Sequence, residues 1–456
     1  MAGSDTELIA ELEARLAERD GRIEALAAQV EQLTKLLEEA RRAGKRQAAP
    51  FSKGDPKPDP KTPGRKAGKA YGKRSGRAVP DRADRELDAP LPPACPDCGG
   101  RIVGDGVHDQ WVCELPKCEP VVTRFRVHVG RCGGCDRRVQ GRHPEQTSDA
   151  LGAAGVQLGP RAKATAQFLH YQLGLSFDRC RDALARMFGL MSSRAALCRA
   201  AEVTAAALVP THTAIVKTVN EAPAVTADET GWRVGGGRAW LWVVTCPKAT
   251  LYKVTPGRGF DDAKLLLDEN YAGVLVRDGW APYRAYIKAT HQSCIAHLAR
   301  RCHELKAELP VHQHGFPNAV SRILDEALAW RDAERPAAER AAAAAELHDR
   351  LLTICHDPIN GKQNQTFARH LIREADAIFT FLTHGTDAAN WRAEQAIRPA
   401  VVNRKTYGGN RTENGAQTQS VITSFLVTAR QQGHDAIERL VELARAPAPT
   451  LAFTIH

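Results

Sequence analysis

The chain has 456 residues, of which 43% are hydrophobic and 25% charged. These values exclude a mainly disordered or fibrous chain and predict several folded domains of roughly 100 to 200 residues each. The net charge of +10 indicates a polyanionic partner.

The N-terminal segment, residues 1–43, has the heptad pattern of a coiled coil. Its hydrophobic seam consists of Ile9, Leu12, Leu16, Ile23, Leu26, Val30, Leu33 and Leu37, with Arg19 as the one polar break. Such a seam predicts a homo-oligomer, and a single amphipathic helix folded against its own chain is the alternative. Because this acidic segment lacks the apolar core of a signal peptide and no run is long enough to span a bilayer, we expect a cytoplasmic protein without a membrane partner.

Residues 44–88 are predicted to be a basic flexible linker. Residues 41–85 contain 15 Lys or Arg against 4 Asp, whereas the rest of the chain carries 48 basic and 49 acidic residues. Six Pro, six Gly and almost no large apolar side chains leave this stretch unable to fold alone. Its basic residues are expected to bind nucleic-acid phosphates, and a solvated tether is the alternative. The expected contacts are Arg65, Lys66, Lys69, Lys73 and Arg74.

Residues 89–148 contain two Cys-x-x-Cys pairs. Cys95 and Cys98 form the first pair, and Cys132 and Cys135 form the second. Because four thiolates suit tetrahedral Zn²⁺ and cytoplasmic thiols stay reduced, the pairs predict a structural zinc ribbon. The stretch "VVTRFRVHVG" between them alternates like a strand, and Cys113 or Cys118 could replace one ligand.

Residues 149–220 are predicted to be helical. Ser176 can begin one helix, Gly189 can end it, and Ser192 or Ser193 can begin the next. Two short helices joined through a glycine turn predict a helix-turn-helix-like DNA-binding domain, and an ordinary helical core pair is the alternative.

The pattern changes to strands in residues 221–293. The stretches "PAVTAD", "AWLWVVT" and "TLYKVT" predict three strands, "FDDAKLLLDEN" a helix, and "AGVLVRDGW" a fourth strand. Residues 294–386 are predicted to be a helical insertion, in which the Ala-rich "ERAAAAAELHDRLLTI" is expected to face solvent. Residues 387–456 complete the core.

Asp228 and Asp278 each end an apolar run that predicts a strand. Alone, Asp228 fits an ordinary strand cap. Neighbouring strands, however, would hold both carboxylates at one sheet edge, where their repulsion favours a bound Mg²⁺ or Mn²⁺. Glu394 is the candidate third acid, although it could equally form a surface pair with Arg398, and Glu413 is its rival.

Four separated stretches, "TADETGW", "VRDGWAPY", "SCIAHLARR" and "NWRAEQAIRP" followed by "NRK", resemble the transposases of the insertion sequence 66 family. The resemblance covers nearly the whole chain. It implies a DDE transposase of multidomain α+β architecture: a coiled coil, a zinc ribbon, a helical domain, and an RNase H-like core with a helical insertion. It also implies that Asp228, Asp278 and Glu394 are the metal-binding catalytic triad.

The resemblance further matches Cys294 and His297 to a Cys-x-Ala-His motif, expected to support the active site or contact DNA. The other expected DNA contacts are Arg300, Arg301, Arg398, Arg404 and Lys405. The implied partners are the double-stranded DNA of element ends and target, together with accessory proteins, at the nucleoid. The alternative function is a catalytically inactive, transposase-derived zinc-ribbon regulator.

Overall fold

The computed structural model describes residues 77–333 and 335–456, and six single positions between residues 19 and 33. The chain divides into two compact units, Met1–Glu114 and Leu115–His456. The six single positions are helical, and Leu26 and Leu33 among them are exposed. The rest of the predicted coiled coil lies outside the described residues. Residues 44–76 of the predicted linker, with Arg65, Lys66, Lys69, Lys73 and Arg74, also lie outside them.

Each Cys-x-x-Cys pair occupies a tight turn, one in each unit. In the first unit, the amide of Cys95 donates to the Gly100 carbonyl (3.0 Å) and the amide of Gly99 to the Cys95 carbonyl (2.9 Å). In the second unit, Cys132 and Cys135 lie in the loop of an antiparallel hairpin formed by β1 (Val129–Arg131) and β2 (Arg138–Gln140). The strand expected from residue 121 onwards begins only at Val129, because pairing with β2 covers just three residues.

A group of helices precedes the main sheet. It comprises α1 (Pro160–Gln167), extended by a π-helical turn (Phe168–Gln172), then α2 (Phe177–Phe188), α3 (Arg194–Ala207) and α4 (Val209–Asn220). The predicted caps are confirmed: Ser176 Oγ accepts from the Arg179 amide (3.3 Å), and Ser193 Oγ from the Ala196 amide (3.1 Å). Gly189 ends α2 in the left-handed conformation that glycine favours.

A five-stranded mixed sheet forms the centre of the second unit. Its strands are β3 (Ala224–Val234), β4 (Gly237–Thr245), β5 (Thr250–Thr255), β6 (Val274–Arg277) and β7 (Thr290–Ser293). The order is β5-β4-β3-β6-β7; β3, β4 and β5 are antiparallel neighbours, whereas β6 and β7 run parallel to β3. The four predicted strands are therefore present, and the fifth, β7, was not predicted.

Two local predictions in this region are wrong. Strand β3 does not end at Asp228 but continues to Val234, because Gly235 and Gly236, both with positive φ, turn the chain into β4 as a tight hairpin. The helix expected over residues 260–270 is reduced to α5 (Phe260–Ala263), where Asp262 accepts hydrogen bonds from the Gly257 and Gly259 amides.

Helices follow β7. They are α6 (Ile295–Glu308), α7 (Gly315–Asp332), α8 (Ala337–His356), α9 (Lys362–Ile378), α10 (Thr380–His384), α11 (Trp391–Tyr407), α12 (Glu413–Gln431) and α13 (Ala436–Arg445). Helices α6 to α10 share a hydrophobic core of their own. The Ala-rich α8 was expected to face solvent, which is wrong: it buries Ala344, Leu347 and Leu351, spaced at helical intervals, in that core.

Helices cover both faces of the sheet. On one face, Ile215 and Val219 of α4 pack against Val225 and Ala227 of β3. On the other, Ala393 and Ile397 of α11 pack in one cluster with Trp232 of β3 and Val243 of β4.

The edge strand β5 is covered by α12. The β5 amides of Val254, Tyr252 and Thr250 donate to Ser420 Oγ (3.0 Å), Ser424 Oγ (2.8 Å) and Thr428 Oγ1 (3.1 Å). Three hydroxyls on successive turns of a helix thus satisfy an edge that would otherwise be open to pairing.

Candidate functional site

Two aspartates lie at equivalent distances beyond the last pair of two adjacent parallel strands. The pairing of β3 with β6 ends at Thr226 opposite Val276, and Asp228 and Asp278 each lie two residues further on. Asp228 remains paired to Val243 of β4, while Asp278 follows the end of β6. Asp278 Oδ1 accepts a hydrogen bond from the Trp280 amide (2.8 Å), which fixes the turn. The sheet therefore brings both acids to the same edge.

Glu394 reaches this edge from the first turn of α11. Its amide donates to the Asn390 carbonyl (3.0 Å), and the preceding Ala393 is completely buried against the sheet. Alternation along β3 puts Asp228 on the face that carries Trp232, which is the face α11 covers. The alternative pair of Glu394 with Arg398 is absent from the ion pairs of the described residues, in which Glu394 instead approaches His297.

The acids act on one another electrostatically. Burial, together with the smaller effects of the charges of Glu229, Asp278 and Glu394, raises the pKa of Asp228 to about 7, while the Glu229 amide, which donates to Asp228 Oδ1 (2.9 Å), opposes the shift. A bound cation would relieve this repulsion, and carboxylate oxygens are the hard ligands that Mg²⁺ and Mn²⁺ prefer. The donor set therefore fits the predicted metal.

Glu229 belongs to a separate arrangement on the opposite face of β3. Its side chain accepts from Arg258 Nε (2.7 Å) and from the hydroxyl of Tyr283. The Arg258 guanidinium stacks on the rings of Trp240 (4.7 Å) and Trp280 (3.8 Å). Arg258 thus provides a cationic partner for Glu229.

Cys294 and His297 lie directly beside Glu394. Cys294 precedes the first residue of α6, and His297 follows one turn later, 3.7 Å from Glu394 Oε1 through Nδ1. Among the His, Cys, Asp and Glu side chains that the structure describes, theirs is the one set of three whose ligand atoms all lie within 4.8 Å of one another. The three acids Asp228, Asp278 and Glu394 are not gathered this closely.

A cavity of about 750 Å³ opens beside this cluster. It is lined by residues next to the sheet edge and by residues of α6 and α9, namely Gly279, Ser293, Cys294, His297, Leu298, Arg301, Lys362, Gln363, Thr366, Phe367 and His370.

Of the other expected DNA contacts, Arg300 and Arg398 are exposed, whereas Arg301 is paired with Glu304 (3.2 Å). Lys405 is half-buried, and Arg404 donates to the Gly231 carbonyl of β3.

A buried ion pair beneath Asp278 was not predicted. Arg277, the last residue of β6, contacts Glu374 of α9 and also donates to the Asp278 carbonyl (3.0 Å). Glu374 accepts further hydrogen bonds from Ser293 Oγ (2.6 Å) and Arg284 (3.0 Å). The signal was an arginine at the end of the apolar strand "VLVR", which must find an anionic partner if it is buried.

The cysteine turns favour thiolates. The amides of Cys98 and Asp97 and the Cys98 thiol lower the pKa of Cys95, and the amides of Gly134 and Cys135 and the Cys135 thiol lower that of Cys132. Cys113 and Cys118 are exposed. Each turn therefore offers two ligands for a soft ion.

Comparisons with known proteins identify the family of this chain. The family model described as "Transposase IS66 family" matches residues 155–418, more than half of the chain. An uncharacterized protein of Sinorhizobium fredii, y4qI, is 27% identical over 265 residues, which cover 50% of this chain. The chain spans about half the length of this curated relative, 48% of which is matched. No helix in the described part of the chain is long and apolar enough to cross a membrane. The chain belongs to the IS66 family of transposases.

Proposed function

We propose that this chain is a DNA transposase that cuts and joins DNA strands by metal-dependent phosphoryl transfer. The observation that carries the proposal is the register of β3 and β6, which puts Asp228 and Asp278 at one sheet edge, with Glu394 close enough to raise the pKa of Asp228. The order β5-β4-β3-β6-β7, with the first strand in the middle and two parallel strands beside it, supports an RNase H-like core.

Asp228, Asp278 and Glu394 would hold two divalent ions, Mg²⁺ or Mn²⁺. Bound there, such an ion polarises a phosphate oxygen and activates water or a DNA 3'-hydroxyl. The protein itself positions the acids. The Trp280 amide fixes the Asp278 carboxylate, the Arg277 guanidinium holds the Asp278 carbonyl, and the burial of Ala393 fixes the turn that carries Glu394.

The parts of the chain outside the sheet support DNA binding and assembly. The α2 and α3 pair, with its short capped connection, supports a helix-turn-helix-like unit. The spacing of the two Cys-x-x-Cys pairs in the sequence supports a structural Zn²⁺ held by Cys95, Cys98, Cys132 and Cys135, and the heptad seam supports a homo-oligomer. The basic linker would bind phosphates, so deleting residues 41–85 should weaken the salt dependence of DNA binding.

The direct test is cleavage of a plasmid that carries the ends of the chain's own element, with neighbouring reading frames supplied as accessory proteins. Wild type should nick the ends in Mg²⁺ or Mn²⁺. Asp228→Asn, Asp278→Asn and Glu394→Gln should each lose at least roughly 10² to 10³-fold in rate while still binding DNA. The matched control is Glu413→Gln, which removes an exposed acid at the start of α12.

Two outcomes would contradict the proposal. Undiminished cleavage by Asp228→Asn would remove that residue from the site. Specific DNA binding by wild type without cleavage, with all reading frames supplied, would favour the inactive regulator.

A further inference from the structure

We infer that Cys294, His297 and Glu394 form a second metal site, selective for a borderline-soft divalent ion of the zinc class rather than for Mg²⁺. This site is separate from the proposed four-cysteine site. It shares one residue, Glu394, with the three acids.

The donor atoms decide the class of ion. A thiol sulfur, an imidazole nitrogen and a carboxylate oxygen are the ligands of Zn²⁺ and related transition metals, whereas Mg²⁺ takes oxygen ligands almost exclusively. The three ligands come from two helices. Cys294 and His297 lie one turn apart at the start of α6, and Glu394 lies in the first turn of α11.

The spacing of these atoms matches coordination better than hydrogen bonding. His297 Nδ1 and Glu394 Oε1 are 3.7 Å apart, which is too far for a direct hydrogen bond. Two ligands of one tetrahedral zinc ion, each about 2.1 Å from it, stand about 3.4 Å apart. A small closure would therefore bring both atoms into ligand positions.

Polar groups at this place are buried without partners. His297 Nδ1 is shielded from solvent and has no hydrogen-bond partner among the described residues. Asn390, whose amide donates to Cys294 Sγ (3.4 Å), is completely buried, and neither polar atom of its side chain has a partner among those residues. Because buried polar groups are normally satisfied, this combination points to a bound ion with its own ligand shell.

Cys294 is better suited to ligation than to nucleophilic attack. Its side chain is 2% exposed, whereas reactive cysteines are accessible. Three protein ligands leave one tetrahedral position, and both Cys294 and His297 line the 750 Å³ cavity from which a fourth ligand could come.

The test counts zinc in the purified, dialysed full-length protein and records the spectrum after replacement by Co²⁺, whose thiolate complexes absorb by charge transfer. Wild type should hold one more zinc per chain than Cys294→Ser, with a matching loss of thiolate absorption. The control Cys302→Ala removes a buried thiol two turns along the same helix and should keep the wild-type count.

Further variants separate this site from its neighbours. His297→Gln should lose the same ion. This second variant keeps the inference testable if Cys294→Ser does not fold. Asp228→Asn should retain it, since Asp228 belongs to the other site. Equal zinc content and equal cobalt spectra in wild type, Cys294→Ser and His297→Gln would overturn the inference. Because the assay needs neither DNA nor cleavage, failure of the proposed function would leave its result unchanged.

Discussion

Asp228 and Asp278 each lie two residues beyond Thr226 and Val276, the last pair of the adjacent parallel strands β3 and β6. The relationship depends on backbone register, and a slip of one residue would turn one carboxylate to the opposite face of the sheet. Two repelling acids in this position cost stability in the absence of a cation. Removing one of the two charges should therefore change the measured stability of the protein.

Asp228→Asn should stabilise the protein at high pH in buffer without Mg²⁺ or Mn²⁺. The folded pKa is about 7, against roughly 4 in the unfolded chain, so wild type loses stability as pH rises from about 4 to 7 and no further above it. At about 1.4 kcal/mol per pKa unit, the variant should be more stable by about 2 to 4 kcal/mol at pH 8 and equal to wild type near pH 4. Urea unfolding at both pH values measures this. A constant difference across the range would show that Asp228 does not titrate as described.

Glu374→Gln should destabilise the fold strongly, because it leaves Arg277 charged and without its carboxylate partner. Both side chains are almost fully buried, and breaking such a pair costs about 3 to 5 kcal/mol. The control is Glu326→Gln, which breaks the Arg350 pair at the surface and should cost less than about 1 kcal/mol. Urea unfolding midpoints compare the two. A small and similar loss of stability in both variants would show that the buried Arg277–Glu374 pair contributes no more than the surface pair.

Glu229→Gln should leave Mn²⁺ binding within about tenfold of wild type, because Glu229 is engaged by Arg258 and Tyr283 on the opposite face of β3. Asp228→Asn, one residue earlier, should lose binding by a much larger factor. Isothermal titration of the two variants under identical conditions is the measurement. Loss of binding in Glu229→Gln comparable with that in Asp228→Asn would make Glu229 a metal ligand.

Ser424→Ala should destabilise the protein by about 1 to 3 kcal/mol, since it leaves the buried Tyr252 amide of β5 without an acceptor. Hydrogen exchange at Tyr252 should accelerate at the same time. Thr353→Ala is the control: that exposed hydroxyl bonds only within its own helix, and its loss should cost less than about 0.5 kcal/mol. Unchanged exchange at Tyr252 would contradict the proposed covering of the edge.

Sequence patterns predicted the features with local causes. Ser176, Gly189 and Ser193 mark helix ends because capping is decided within a few residues. The apolar runs that precede Asp228 and Asp278 predicted the two strands because alternation and branched side chains report burial directly.

The failures concern features that distant residues decide. Strand β7, "THQS", is polar and is a strand only because β6 supplies a partner. Burial of the Ala-rich α8 depends on α7 and α9, and Arg277 finds Glu374 97 residues later in the chain. The approach of Cys294 and His297 to Glu394 likewise needs two separate helices. The spacing of residues along one sequence does not show which distant residues come into contact in the fold.

Divalent-ion binding tests the central claim most directly. Mn²⁺ would be titrated calorimetrically into wild type, Asp228→Ala, Asp278→Ala and the double variant, each with its zinc content determined separately and a duplex of the element's end present. If the two acids share one site, each single variant should lose at least about 100-fold in affinity, and the double variant should be little worse than either. Wild-type affinity in both single variants would contradict the shared site and with it the proposed catalytic centre.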